Sequence, residues 1–404
     1  MTKTPLRGRP DGPQRSPRYD RPATDRPRAD RPETGRTRGI HPGPGRTWYA
    51  RTVAPVLTCD PVPAAVGEFH ASLPGYARTP LTELPALAAA LGVGRVFVKD
   101  ESARLGLPAF KALGASWAVH RVLAELPPGS RVQLVTATDG NHGRAVARIA
   151  RQRGLPAHVF VSRGVHPEAV AAIEAEGARV TRVDGDYDEA VSRAARAAAD
   201  AGSVLLQDTV VTGDDRVPRW IVEGYATLFA EIDAQIAAVG AGGPALIAVP
   251  VGVGSLAQAA VTHARSRPVG TAAPALLAVE PQAAPCVLAS LLAGRRVTVP
   301  TSATAMAGLN CGTPSRLAWP FLRDGLDAAV AVTEAECADA TRALAGLGVE
   351  AGPCGAASLA GVRAALTGDG APGRRAALGA GPSTTLVLLS TEGPAANPHR
   401  VDAV

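Results

Sequence analysis

Leu246-Ile247-Ala248-Val249-Pro250-Val251-Gly252-Val253-Gly254-Ser255-Leu256 is an apolar run that breaks into a glycine turn and then enters a helix-forming stretch. A near-continuous aliphatic run suits a parallel strand buried on both faces. Glycines placed directly after such a strand let backbone N–H groups approach an anion, and the helix start that follows favours negative charge. Taken alone, the turn reads equally as a phosphate cup or as a turn made for packing. It is not a P-loop, because no Gly-Lys-Ser/Thr follows, and the further glycine of the dinucleotide fingerprint is absent.

Working outward, the same alternation repeats. Strands are predicted at Arg95–Val98, Val132–Ala137, Ala157–Val161, Arg179–Val183, Val204–Gln207, Leu276–Glu280, Ala329–Val332 and Thr385–Ser390, besides Leu246–Pro250. Alanine-rich helical stretches lie between them, at Pro167–Glu176, Tyr187–Ala201 and Pro218–Ala238 among others. This β-α-β-α order predicts an α/β fold with parallel sheets. In such sheets ligands sit beyond the carboxyl ends of the strands. Two more junctions of that kind stand out. One is Thr138-Asp139-Gly140-Asn141-His142-Gly143 after Val132–Ala137, and the other is Ser390-Thr391-Glu392-Gly393 after Leu386–Leu389. The first puts an amide and an imidazole between glycines; it could hold a carboxylate or simply cap the next helix.

Lysine is nearly absent. Of 42 Lys+Arg residues only Lys3, Lys99 and Lys111 are lysine. Arginine does not deprotonate in proteins, so it cannot serve as an amine nucleophile. Lys111 sits in Pro108-Ala109-Phe110-Lys111-Ala112-Leu113-Gly114-Ala115, an apolar, small-residue setting in which a desolvated amine is expected to lose its charge more easily. The alternative is a lysine snorkelling from an ordinary helix.

The net charge of +6 comes from the first 46 residues, which carry twelve Lys/Arg against five Asp/Glu. The remainder is near neutrality, so the charge gives no ground for nucleic-acid binding. That segment repeats Asp-Arg-Pro at 20–22, 25–27 and 30–32, has almost no large apolar residues, and is expected to be a disordered tail. It has no apolar core of a secretory signal. No stretch has the eighteen uninterrupted apolar residues of a membrane span. Cys59, Cys286, Cys311, Cys337 and Cys354 are scattered, which argues against a metal site and fits a reducing cytoplasm.

An amine, a phosphate cup and an amide-bearing loop together point to pyridoxal 5'-phosphate. Val98-Lys99-Asp100-Glu101-Ser102 through Phe110–Ala115 resembles the cofactor-lysine segment of the tryptophan-synthase-β-like (fold type II) PLP enzymes. Leu73–Tyr76, Thr79–Leu81, Thr138–Gly143, Gln207–Thr209, Pro218–Tyr225, Gly252–Leu256, Ala305–Gly312 and Ser390–Gly393 resemble, in order, the diaminopropionate ammonia-lyases of that group. The resemblance covers residues 48–393.

It implies two doubly wound domains with the cofactor cleft between them. Residues 47–115 and 241–404 would form the larger, 116–240 the smaller, and 1–46 the tail. It implies β-elimination from a small amino acid, 2,3-diaminopropionate, by a cytoplasmic homodimer. Lys111 would be the Schiff-base lysine and Asn141 would contact the ring oxygen. Gly252, Val253, Gly254, Ser255 and Leu256 would cradle the phosphate. Ser390 and Thr391 are both candidates for the ring nitrogen. Asp139 and Asp208 would be the bases for opposite enantiomers, although a turn residue and a helix cap are the plain alternatives. Thr138, Asp139, Gly140 and His142 would face the substrate. Lys99 would be a structural partner of nearby carboxylates. Cys286 and Cys311 fall where that lyase can carry a cysteine pair; two buried free thiols are expected here.

One stretch departs from the pattern. Gly352-Pro353-Cys354-Gly355-Ala356-Ala357 stands where Glu-Ser-Gly-Ala-Ala is usual, so an acid has become proline and a hydroxyl a thiol. Proline also removes a backbone donor. If the missing acid touches substrate or cofactor, rate or specificity has changed. A serine/threonine dehydratase, a β-replacement enzyme and a cofactor-binding homologue without turnover are the alternatives.

Overall fold

The computed structural model describes residues 47–138, 140–210, 213–268 and 270–396. The expected tail and Asp139 lie outside the described residues. Among the described residues there are eleven strands: β1 (Trp48–Ala50), β2 (Leu81–Glu83), β3 (Arg95–Asp100), β4 (Gln133–Thr138), β5 (Ala157–Val161), β6 (Arg179–Arg182), β7 (Ser203–Leu205), β8 (Leu246–Pro250), β9 (Ala275–Pro281), β10 (Ala328–Val332) and β11 (Thr385–Ser390). They form a seven-stranded sheet, β1-β10-β9-β8-β11-β3-β2, and a four-stranded sheet, β6-β5-β4-β7.

Neighbouring strands run parallel from β10 to β3 and throughout the smaller sheet. The two outermost strands of the large sheet, β1 and β2, are antiparallel to their neighbours. The sequence reading missed both. Each has three residues, too few to show a period, and each closes an edge that would otherwise expose unpaired backbone.

Burial on both faces explains the unbroken apolar runs. Val387 and Leu389 of β11 face the side covered by the helix Ser255–Arg265, with Phe97, Ile247 and Val249. Leu386 and Leu388 face the opposite side, covered by the helix Pro353–Leu366, with Val96, Val98 and Leu246. All four are fully buried, at roughly 1.5–3 kcal/mol per side chain relative to exposure. The smaller sheet is likewise sandwiched. Leu134 and Val159 meet the helix Asn141–Gln152, while Val135 and Phe160 meet Tyr187–Ala197.

The stretch expected as one helix over Pro218–Ala238 is two, Arg216–Gly224 and Ala226–Ala238, meeting at Tyr225. Tyr225 keeps helical dihedrals (φ −70°, ψ −12°), so the junction is a kink. The first of these helices crosses the helix Lys111–Glu125 very closely. A Cβ on Gly224 would lie 2.6 Å from Leu113 O, and one on Gly114 would lie 2.6 Å from Tyr225 Cε1. Only glycines permit that approach, and it fixes Lys111 and Tyr225 relative to each other. No helix among the described residues is long and apolar enough to cross a membrane.

Candidate active site

The carboxyl ends of β4, β8 and β11 open into one cavity of about 870 Å³, counting the part that opens to solvent. Lys111, Thr138, Gly140, Asn141, His142, Asp208, the turn from Gly252 to Leu256, and Thr391 all line it. The sequence scattered these residues over nearly three hundred positions; the parallel topology brings them together.

Lys111 is the first residue of its helix. Its Nζ lies 3.1 Å from Asp208 Oδ2, with the lysine side chain 21% and the aspartate 7% exposed. Burial alone would depress the amine, but the Tyr225 and Asp208 groups beside it outweigh that and raise it above the ordinary lysine value. This corrects the expectation of an easily neutralised amine. The surroundings are apolar on the helix side only, and a carboxylate faces the amine on the other. Burial likewise pushes Asp208 up, yet the charge of Lys111, then His142, and the lysine hydrogen bond leave its carboxyl below the usual range.

The glycine turn closes over the start of the helix Ser255–Arg265, which has no side-chain cap. Its first-turn N–H groups therefore have no acceptor within the helix. Gly254 has φ +104°, where a Cβ would also strike Leu322 Cδ1 at 2.6 Å; a Cβ on Gly252 would lie 2.9 Å from Gly308 O. Ser255 Oγ donates to Asp208 O at 3.2 Å, tying the turn to the Lys111–Asp208 pair.

In the loop after β4, Thr138 Oγ1 accepts from the N–H groups of Gly140 (2.9 Å) and Gly143 (3.0 Å). Its hydroxyl is thus committed to shaping the loop. Asn141 Nδ2 donates to Glu392 Oε2 at 2.5 Å. His142 Nε2 pairs with Leu206 O at 2.8 Å, and its Nδ1 is buried without a partner. Burial, opposed by Asp208, holds that ring below the ordinary histidine value.

Ser390 lies behind the cavity wall rather than on it. It is fully buried, and its Oγ has no hydrogen-bond partner. Glu392 is buried and accepts from Cys354 N at 3.2 Å as well as from Asn141. The sequence reading gave Glu392 no role, and its place directly after Ser390-Thr391 was the signal. Tyr187, which lines the cavity and accepts from Gln207 Nε2 at 2.7 Å, was also missed, as was the Gly308–Cys311 wall.

Pro353 is the first residue of the helix Pro353–Leu366. At that position the N–H would have no helical acceptor, so its loss is harmless. Lys99 is fully buried and donates to Glu231 Oε2 (2.6 Å), Thr79 O (2.8 Å) and Gln235 Oε1 (2.8 Å), away from the cavity. None of the five cysteines, all among the described residues, is in a disulfide. Among the described residues, no three His, Cys, Asp or Glu side chains are grouped to hold a metal ion.

Known proteins resemble this chain in sequence and fold. The pyridoxal-phosphate dependent enzyme family matches residues 73–379, and the chain belongs to that family. Its cofactor is pyridoxal phosphate. Within it, the diaminopropionate ammonia-lyase of Salmonella typhimurium is 37% identical over 277 residues, 63% of this chain and 69% of that protein. The Escherichia coli enzyme, solved with an aminoacrylate–PLP azomethine reaction intermediate, superposes with TM-score 0.75 at 32% identity, covering 82% of this chain and 88% of that one. The same enzyme solved with D-serine gives TM-score 0.76 at 30% identity over the same shares.

Proposed function

We propose that this chain eliminates the β-amino group of 2,3-diaminopropionate, consuming one water and yielding pyruvate and two molecules of ammonia, one from each amino group, with pyridoxal phosphate held in the cavity. The observation that carries the reading is the meeting of the Lys111 amine, the Asp208 carboxylate and an uncapped glycine turn in one pocket.

The residues fit the cofactor. Lys111 would hold it through its amine. The N–H groups from Gly252 to Leu256 would hold its phosphate, on a turn whose path leaves no room for a Cβ at Gly252 against Gly308 or at Gly254 against Leu322. Asn141 would meet its ring oxygen. For the ring nitrogen both hydroxyls remain candidates: Thr391 lines the cavity, and Ser390 offers a buried hydroxyl without a partner directly before it in the chain.

When bound, the cofactor draws negative charge away from the substrate Cα. The chain does the rest. Asp208, ionised by its neighbours, removes the Cα proton. Asp139 is the matching base for the opposite enantiomer. The loop residues Thr138, Gly140 and His142 bound the substrate's side of the pocket, and the charged Lys111 stands ready to protonate the leaving amine.

The reading extends to a cytoplasmic homodimer, and cysteines that form no disulfide among the described residues suit a reducing compartment. It also takes 47–115 with 241–404 as one lobe and 116–240 as the other; the four-stranded sheet, within 133–205, supports that division.

Pyruvate measured from purified protein given 2,3-diaminopropionate, serine or threonine tests the function. Release from diaminopropionate well above the others is expected. Turnover of serine or threonine alone would give the dehydratase reading, motivated by the Pro353-Cys354 departure. Bound cofactor with no product from any of them would mean a binding protein without turnover.

A further inference from the structure

A buried tyrosine usually spends its hydroxyl on a partner. Tyr225 is fully buried, yet its hydroxyl meets no partner at full hydrogen-bond geometry, although the Lys111 amine is near enough to act on it as a weak donor. The ring cannot turn aside. It sits at the kink between two helices, its edge against Gly114, and its centroid 4.8 Å from that of Phe110. The Lys111 amine lies 5.8 Å from the ring centroid. The two groups are close enough for each to perturb the other's titration. Burial pushes the phenol up to about 12, so it stays protonated and neutral near neutral pH.

The proposed reaction puts two demands on Asp208. It must take a proton, and a carboxylate already paired to an ammonium is a weaker base. Lys111 must also leave its bond to the cofactor during each turnover and be held somewhere. We propose that Tyr225 is a positioning residue whose hydroxyl oxygen accepts the Lys111 amine and draws it off Asp208 when the substrate takes over the cofactor. The inference rests on the reading of Lys111 and Asp208 given above. Through it, a loose contact between the Tyr225 hydroxyl and the Lys111 amine tightens for part of the cycle.

Tyr225→Phe removes one oxygen and keeps the ring, so the packing against Gly114 and Phe110 stands. Losing a buried hydroxyl that lacks a full hydrogen bond should leave the melting temperature unchanged or raise it. Two rates should fall by roughly ten- to a hundredfold, the size of a hydrogen bond to a charged group. One is kcat for pyruvate release, with KM nearly unchanged. The other is cofactor uptake by the stripped protein, followed as visible absorbance of the lysine-bound cofactor. Either rate within about twofold of the parent, or a fall matched by a lower melting temperature, overturns the inference. Lys111→Ala run alongside separates the two ideas. If it keeps the parent's visible spectrum, the cofactor reading fails and this inference with it. If it is blank while Tyr225→Phe behaves like the parent, only the inference fails.

Discussion

Lys99 and Lys111 are both drawn into the interior by a carboxylate, Lys99 by Glu231 at 2.6 Å and Lys111 by Asp208 at 3.1 Å. The surroundings differ. Around Lys99 the polar groups are used up. Arg104 shares both oxygens of Glu231 and also binds Glu101, Thr79 Oγ1 links Arg104 to Glu101, and Tyr76 donates to Glu231. Around Lys111 loose ends remain: the Tyr225 hydroxyl, His142 Nδ1 and, behind the wall, Ser390 Oγ. A closed ionic network holds β3 to the helix Ala226–Ala238. An open one keeps hydrogen-bonding capacity for something that binds. Burial and charge alone do not separate the two lysines; the unspent polar groups around Lys111 do.

The comparison can be broken at several points. The largest effect is expected from Lys111→Ala, which should lower pyruvate release by three orders of magnitude or more, on the order of losing a covalent nucleophile. The equivalent loss at Lys99 should act on stability, not on the visible spectrum. Next, Glu231→Ala strands two buried cations and should cost about 3–5 kcal/mol in denaturant unfolding. Asp208→Asn should leave unfolding within about 1 kcal/mol of that change's usual range while cutting kcat by roughly 10²–10⁴-fold, since proton removal and not scaffolding is its task.

The pH dependence sharpens the same contrast. Burial pushes Glu231 up, but hydrogen bonds and charge from Arg104 and Lys99 depress it from 4.5 to about 2. A depressed carboxyl gives stability that is present above its unfolded value and lost as pH falls toward the folded one. Unfolding curves should therefore lose about 3 kcal/mol from this residue between roughly pH 4.5 and pH 2. Glu231→Gln should flatten that loss. The smallest effect is expected from Pro353→Ala, within about 1 kcal/mol, because the first helical position never needed the N–H. A large fall in stability there would show that the departure from the family pattern had been compensated in some other way.

Much of this was legible in the chain. The strand-then-glycine junctions at 138–143, 252–256 and 390–393 named three walls of the cavity, because parallel strands must present their carboxyl-end loops together. The rarity of lysine singled out Lys111. The edge strands were too short to show a pattern. The break at Tyr225 was hidden because the Gly114–Gly224 crossing beside it is a contact between residues more than a hundred positions apart. The charge of Lys111 was misjudged for the same reason: Asp208 arrives from a different strand end. Glu392 was visible in a quoted motif, but its hold on Asn141 spans β11 and the loop after β4.

The central claim is that one amine, that of Lys111, bonds to the cofactor's aldehyde. The direct measurement is borohydride reduction of the cofactor-loaded protein, followed by proteolysis and mass spectrometry of the lysine peptides. We expect the reduced pyridoxyl mass on the peptide containing Lys111 and none on the peptide containing Lys99. A tag on Lys99, or no tag on either, would contradict the account.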